Sequence, residues 1–318
     1  MLKRLKPFVR WAILGGTLFF LVQAVKGHWQ EVAALRLGAT GWRWLGVALA
    51  VTLVAHVWTG WVWGWILGAL AQPARAGWST LVYLKTNIAK YLPGNVWHFY
   101  GRVMAAKAAN IPVAASVVSV VLEALLMAIA ALMVALLGSQ YGLLQWAGLL
   151  LGLGLVHPRL LNPVLRRLAR SKGRSLSAIG AAKSSPATGM SAEPGKAQAN
   201  TAPVLARYPV KPLLGELVFL LLRGAGFLAA VRAFAPLPLV DLPVLLSGFS
   251  LAWMLGLVIP GAPGGIGVFE ATALALLEPV LPAAELLGAI AVYRLVSTVA
   301  EAIGAGVAGL MLRNGDGT

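Results

Sequence analysis

Long apolar runs, separated by short clusters of basic residues, glycine and proline, set the pattern of this 318-residue chain. Apolar stretches at about 11–27, 43–70, 113–137, 142–160, 212–233 and 284–312 predict membrane-spanning helices, because a span takes ~20 consecutive apolar residues. The 43–70 stretch exceeds that length and predicts a tilted helix, with the Trp-rich part from Trp58 to Trp65 supplying interfacial anchors. Two further stretches, 78–107 and 243–279, are apolar but broken by Leu92-Pro93-Gly94 and Ile259-Pro260-Gly261. Proline and glycine cannot continue a helix cheaply, and lipid cannot satisfy the backbone groups that they free. Each stretch therefore predicts a re-entrant helical hairpin, two short helices meeting at a tip buried in protein. The predicted fold is an all-α polytopic membrane protein of about six full spans plus two Pro/Gly-broken re-entrant hairpins.

Residues 161–210 change character. The run SKGRSLSAIGAAKSSPATGMSAEPGKAQANTAP is small, polar and basic, with one acid, Glu193. It cannot bury enough apolar surface to fold, which predicts a disordered cytoplasmic linker. The organisation is thus a membrane half at 1–160, the linker at 161–210, and a second membrane half at 211–318. The basic start and its apolar run have the shape of a signal peptide. A polytopic chain needs no cleavable signal, so an uncleaved first span is predicted instead.

Composition narrows the class. Hydrophobic residues make up 59% and charged residues 11%, against roughly 25% charged in a soluble domain. The net charge of +16 lies between apolar runs rather than on a soluble face, so it points to a membrane surface and not to nucleic acid. The chain has no cysteine, and its four histidines, His28, His56, His98 and His157, show no metal-ligand spacing. A membrane protein without cofactor, and without a soluble catalytic domain, is expected.

Charge also assigns sides. From 71 to 112 the charged residues are Arg75, Lys85, Lys90, Arg102 and Lys107, whereas 233–293 holds only Asp241, Glu270, Glu278 and Glu285. The positive-inside bias places the first hairpin towards the cytoplasm, the second towards the outside, and both termini in the cytoplasm. The hairpins then oppose each other as an inverted repeat. Paired, interrupted segments of this kind point to a transport site near the midplane.

The candidate chemistry lies at these breaks. Pro260 to Glu270 includes Gly264, Gly265 and Gly267. A helix starting near Gly265 would turn unpaired N–H groups and a positive partial charge towards the tip, as phosphate or carboxylate requires. The same glycines could simply permit tight helix packing. Glu270 could cap that helix, pair with Arg294, or carry a proton. Pro93 and Gly94 mark the other tip, where Lys90 and Arg102 either meet substrate or snorkel to headgroups. His98 between them reads as a packed polar residue. Glu123, Glu216, Arg223, Arg294 and Glu301 lie well inside spans, where each charge costs roughly 2.5–3.5 kcal/mol. The pairs Glu216–Arg223 and Arg294–Glu301, seven apart, fall on one helical face each. Structural ion pairs account for this polar seam, as does a headgroup or proton pathway.

At these residues the chain resembles the lysylphosphatidylglycerol synthase transmembrane region, a flippase-like domain of bacterial and archaeal membrane proteins. The run from Pro260 to Glu270 fits that family's P-x-x-P-G-G-[IL]-G-x-x-E pattern, and Leu92-Pro93-Gly94 with Arg102 resembles its L-P-G…R segment. Glu123 and Tyr293-Arg294 sit where the family has an acid and a Tyr-Arg pair. Ala124 and Met127 replace an Arg and an Asp often found there, and Asn95 and Trp97 replace basic and small residues. The resemblance implies the lipid-handling region without the family's soluble aminoacyl-transferase domain.

The expectation is a non-enzymatic flippase-like transporter in a bacterial cytoplasmic membrane. It would move an anionic or modified phospholipid, or a polyprenyl-phosphate-linked headgroup, between leaflets. The alternative is a non-transporting partner or scaffold subunit of a lipid- or glycan-modifying enzyme, docked through the basic linker.

Overall fold

The computed structural model describes residues 37–92, 96–138, 142–163, 204–259 and 263–315. The span predicted at 11–27, most of the linker, and the tip residues Pro93, Gly94 and Pro260 lie outside these. The described residues form helices and contain no strand. Helix α1 (Ala39–Ala69) is followed by α2 (Ala76–Asn87), a 3-10 turn (Ile88–Tyr91), α3 (Trp97–Ala108), α4 (Val113–Ala135) and α5 (Gly142–Leu155). After the linker come α6 (Val210–Arg232), α7 (Leu242–Val258), a 3-10 turn (Pro263–Gly265), α8 (Val268–Leu277) and α9 (Ala283–Gly315).

Among the described residues, five helical segments are long and apolar enough to cross a membrane: Ala39–Ala69, Val113–Ala135, Val210–Arg232, Leu239–Val258 and Ala283–Arg313. At 1.5 Å per residue, the 31 residues of α1 reach roughly 46 Å, more than the ~30 Å hydrocarbon core, so α1 tilts or protrudes. By the same measure α2 and α3, 12 residues each, reach only about 18 Å and cannot span singly. The span predicted at 142–160 differs from expectation: α5 stops at Leu155, a turn follows, and helix resumes over 158–163. Gly142–Leu155 by itself is a short apolar helix.

Local sequence explains the helix ends in the first half. Asn110 (φ 61°) takes the left-handed conformation after α3, and the N–H of Ile111 donates back to Ala106 O at 3.0 Å. Asparagine tolerates that conformation, and Pro112 prevents continuation. Ala71 (φ 58°) does the same after α1, with Gln72 N donating to Leu67 O at 2.9 Å and Pro73 following.

Packing relates the two halves. Helices α1 and α6 lie against each other, α4 packs on α7, and α9 packs on α2. Likewise α4 packs on α6 and α9 on α1, while α3 joins α4 and α8 joins α9. Exchanging α1–α4 for α6–α9, in order, reproduces these contacts. Each half's last long helix therefore packs on the first limb of the other half's broken helix pair. Small residues make the closest crossings: a Cβ on Gly60 would lie 2.9 Å from Thr80 Cα, and one on Gly138 2.5 Å from Pro243 O. The Trp-rich part of α1 is divided in use. Trp63 is fully buried and donates to Ser119 Oγ at 3.2 Å, Trp58 donates to Gly215 O at 2.8 Å, and Trp61 remains exposed.

Candidate functional site

The turns that flank the two chain breaks pack against each other. The 3-10 turn Ile88–Tyr91 packs against the turn Pro263–Gly265, and the Tyr91 ring lies 2.8 Å from where a Gly264 Cβ would project. Gly264 and Gly265 have φ of 59° and 72°, a region that side chains disfavour. A Cβ on Gly265 would also approach Gly256 Cα to 3.1 Å. Both the left-handed backbone and the close approach therefore require glycine here. Helix α8 starts at Val268 rather than near Gly265, and its leading end is closed by its own chain. Glu270 Oε2 accepts from Gly267 N at 2.6 Å. The anion site expected at a bare helix end is thus occupied by an internal carboxylate.

Around these two turns, buried charges meet in pairs that tie elements together. Arg102 of α3 is ion-paired with Glu123 of α4, both buried, and its guanidinium lies over the Tyr83 ring at 4.0 Å. Arg294 of α9 donates from Nε to Glu270 Oε1 at 2.5 Å and from Nη1 and Nη2 to Gly264 O and Gly265 O at 2.8 and 2.9 Å. In both halves a Glu–Arg pair thus fastens the second limb of the broken helix pair to the long helix that follows. The charge order is reversed between halves. A third pair crosses them: Lys90 Nζ donates to Glu301 Oε1 at 2.6 Å, and His56 Nε2 lies 3.2 Å from the same oxygen. Arg223 lies 3.4 Å from that His56 nitrogen and donates to Ser297 Oγ at 3.0 Å. Tyr293 in turn donates to the Arg223 carbonyl at 3.3 Å.

The pairing differs from the sequence reading in one respect. Glu216 and Arg223 share a helix face but do not pair, and neither do Arg294 and Glu301 among the described residues. Bonds between helices replace bonds along them, since seven residues of helix separate such positions by about 10 Å.

These groups surround a cavity of about 280 Å³. Lys90, Arg102, Arg223 and Arg294 all line it, together with Glu123, His98 and the glycines of the second tip. Val96 and Val258 line it too and are 54% and 59% exposed, so the cavity reaches an apolar outer surface between the helix limbs. Two donors on its lining residues, Arg102 Nε and Arg223 Nε, lack a partner among the described residues, as does the ring nitrogen His98 Nδ1. Unsatisfied buried donors are costly, and a guest bearing acceptor oxygens would relieve them.

Of the sequence-selected residues, Lys90, Arg102, Glu123, Gly264, Gly265 and Arg294 meet at this cavity, and Gly267 and Glu270 support it from behind. Pro93, Gly94 and Pro260 fall outside the described residues. His56, Tyr83 and Asn87 belong to no motif of the sequence, yet they line it. A histidine in mid-span was the available signal for His56; nothing in the sequence distinguished Asn87. The family model described as lysylphosphatidylglycerol synthase TM region matches residues 8–304. No curated protein matches the chain.

Proposed function

Since the chain belongs to the lysylphosphatidylglycerol synthase transmembrane-region family, we propose that it is a non-enzymatic, flippase-like lipid transporter. Its substrate is an anionic or modified phospholipid, or a polyprenyl-phosphate-linked headgroup, moved between leaflets of a bacterial cytoplasmic membrane. As an integral membrane protein with five helices long and apolar enough to cross a bilayer, it can hold such a site away from water.

One observation carries the reading. Four cationic side chains, Lys90, Arg102, Arg223 and Arg294, line a single internal cavity, yet only three of them are ion-paired, with Glu301, Glu123 and Glu270. Arg223 forms no ion pair with a carboxylate among the described residues. A phosphate oxygen set suits that surplus, and guanidinium groups bind phosphate in two-pronged fashion. The exposed valines at the cavity mouth would leave acyl chains in lipid while the headgroup enters. The opposed breaks, read as an inverted pair of re-entrant hairpins, would offer the headgroup alternate access by rocking of one half against the other.

Reconstitution tests this. Purified protein in liposomes is expected to exchange labelled phosphatidylglycerol or a short polyprenyl phosphate between leaflets. Arg294→Ala and Glu123→Gln, folded by gel filtration, are expected to lose at least about tenfold of that rate, a single step on the scale of one charge-assisted hydrogen bond. No exchange of either lipid under imposed proton and sodium gradients would remove the transport reading and favour the scaffold role.

A further inference from the structure

Glu216 of α6 is 0% exposed. Its Oε2 is 3.4 Å from the Thr59 hydroxyl, a long contact, and its Oε1 has no hydrogen-bond partner. Among the described residues it forms no ion pair. Arg223, two turns along the same helix, is engaged with Ser297 and lies beside His56. The charged groups that Glu216 feels are Glu123 and Arg102, already joined to each other.

The elements around it present few other titratable groups. Helix α1 offers His56, three residues before Thr59 and beside Glu301. Helix α2 offers Tyr83, under the Arg102 guanidinium; α3 and α4 offer Arg102 and Glu123. Helix α7 carries no ionisable side chain, and on α9 Tyr293, Arg294 and Glu301 gather towards Arg223 and the tips. Two carboxyls thus share one cation. A carboxylate stripped of water without a counter-charge is strongly disfavoured, so Glu216 keeps its charge only while the surplus cavity cation has no other anion to face.

Counting the cluster shows what the proton does. With both histidines neutral, Lys90, Arg102, Arg223 and Arg294 face Glu123, Glu270 and Glu301, leaving one positive charge while Glu216 is protonated. When Glu216 ionises, the cluster is neutral. We propose that Glu216 is a proton-binding site linked to the cavity, so that one proton and one phosphodiester charge bind together and leave together. The proton sits on Glu216 Oε1; the anion sits among the cavity cations; no covalent bond is made or broken. This rests on the headgroup reading of the same cavity and names its coupling ion.

The test is binding to the purified full chain in detergent, with dioctanoyl phosphatidylglycerol and its deacylated headgroup, glycerophosphoglycerol, as probes. Both are phosphodiesters and keep one negative charge across the range used. Wild-type affinity is expected to rise about tenfold per unit of falling pH up to an acidic plateau, the slope of a single linked proton. Calorimetry in buffers of different ionisation heat is expected to count one proton taken up per probe bound. Glu216→Gln is expected to bind at the plateau affinity at every pH with no proton uptake, and Glu216→Asp to keep the dependence.

Linkage with the lipid, alone or with its free headgroup, supports the proposal. A wild type that shows none with either probe overturns it, as does linkage that survives Glu216→Gln, or that vanishes instead in His56→Gln. Should Glu216→Gln fail to fold, the proton count on wild type and Glu216→Asp still decides. Linked binding without leaflet exchange in liposomes would remove transport and leave the coupled site; exchange without linkage would do the reverse.

Discussion

Arg102 shows how much one residue holds at this site. Its guanidinium joins α3 to Glu123 on α4 and covers the Tyr83 ring on α2. Arg102→Ala would strand a buried carboxylate next to Glu216, the worst arrangement for either acid. It is expected to destabilise the protein by about 3–5 kcal/mol, read from thermal unfolding in detergent. The double variant Arg102→Met with Glu123→Leu is expected to recover most of that loss, because an apolar pair can replace a buried ion pair. Recovery of stability without recovery of leaflet exchange would separate the pair's structural role from its role at the cavity. That Arg102 and Glu123 mattered was legible in the sequence, since a charge inside an apolar run needs a reason. Their being partners was not, because Glu123 could equally have met Lys90 or Arg294, and Arg102 could have met Glu270 or a headgroup.

At the level of elements, the breaks were the most readable feature, and their packing the least. Pro-Gly in an apolar run forbids a continuous helix on local grounds alone, and α2/α3 and α7/α8 are separated where the sequence predicts. That the two turns should touch each other depends on contacts between halves that no local pattern encodes. Nor does hydropathy reveal that 142–160 bends after Leu155. Glycine crossings are where this packing is vulnerable. Gly60→Ala would bring a methyl to 2.9 Å of Thr80 Cα, forcing α1 from α2 at an expected cost of about 1–3 kcal/mol. Gly46→Ala, on the same helix but with open space around it, is expected to stabilise by about 0.5–1 kcal/mol in the same unfolding assay.

For the whole molecule, the exchange symmetry of contacts fits two placements in the membrane, halves inverted or halves parallel. If the halves are inverted, their connecting segments face opposite sides. The chain has no cysteine, so single substitutions report cleanly. Arg75→Cys, before α2, is expected to react with an impermeant maleimide only from the cytoplasmic side. Val240→Cys, before α7, is expected to react only from the outside. Labelling of both from one side would show the halves to be parallel and would remove the inverted-repeat reading. Charge bias supplied this expectation, whereas composition alone could say only that the chain enters a bilayer.

The reach of the ion pairs along the chain bears on how the protein is made. The Arg102–Glu123 and Arg294–Glu270 pairs span 21 and 24 residues and can close as soon as their helices leave the ribosome. Lys90 and Glu301 are 211 residues apart. At synthesis rates of about 5–20 residues per second, Lys90 waits roughly 10–40 s for its counter-ion. During that interval the first half sits in the membrane with an unneutralised lysine beside His56. A truncated or stalled product never acquires Glu301, and so keeps Lys90 without this counter-ion.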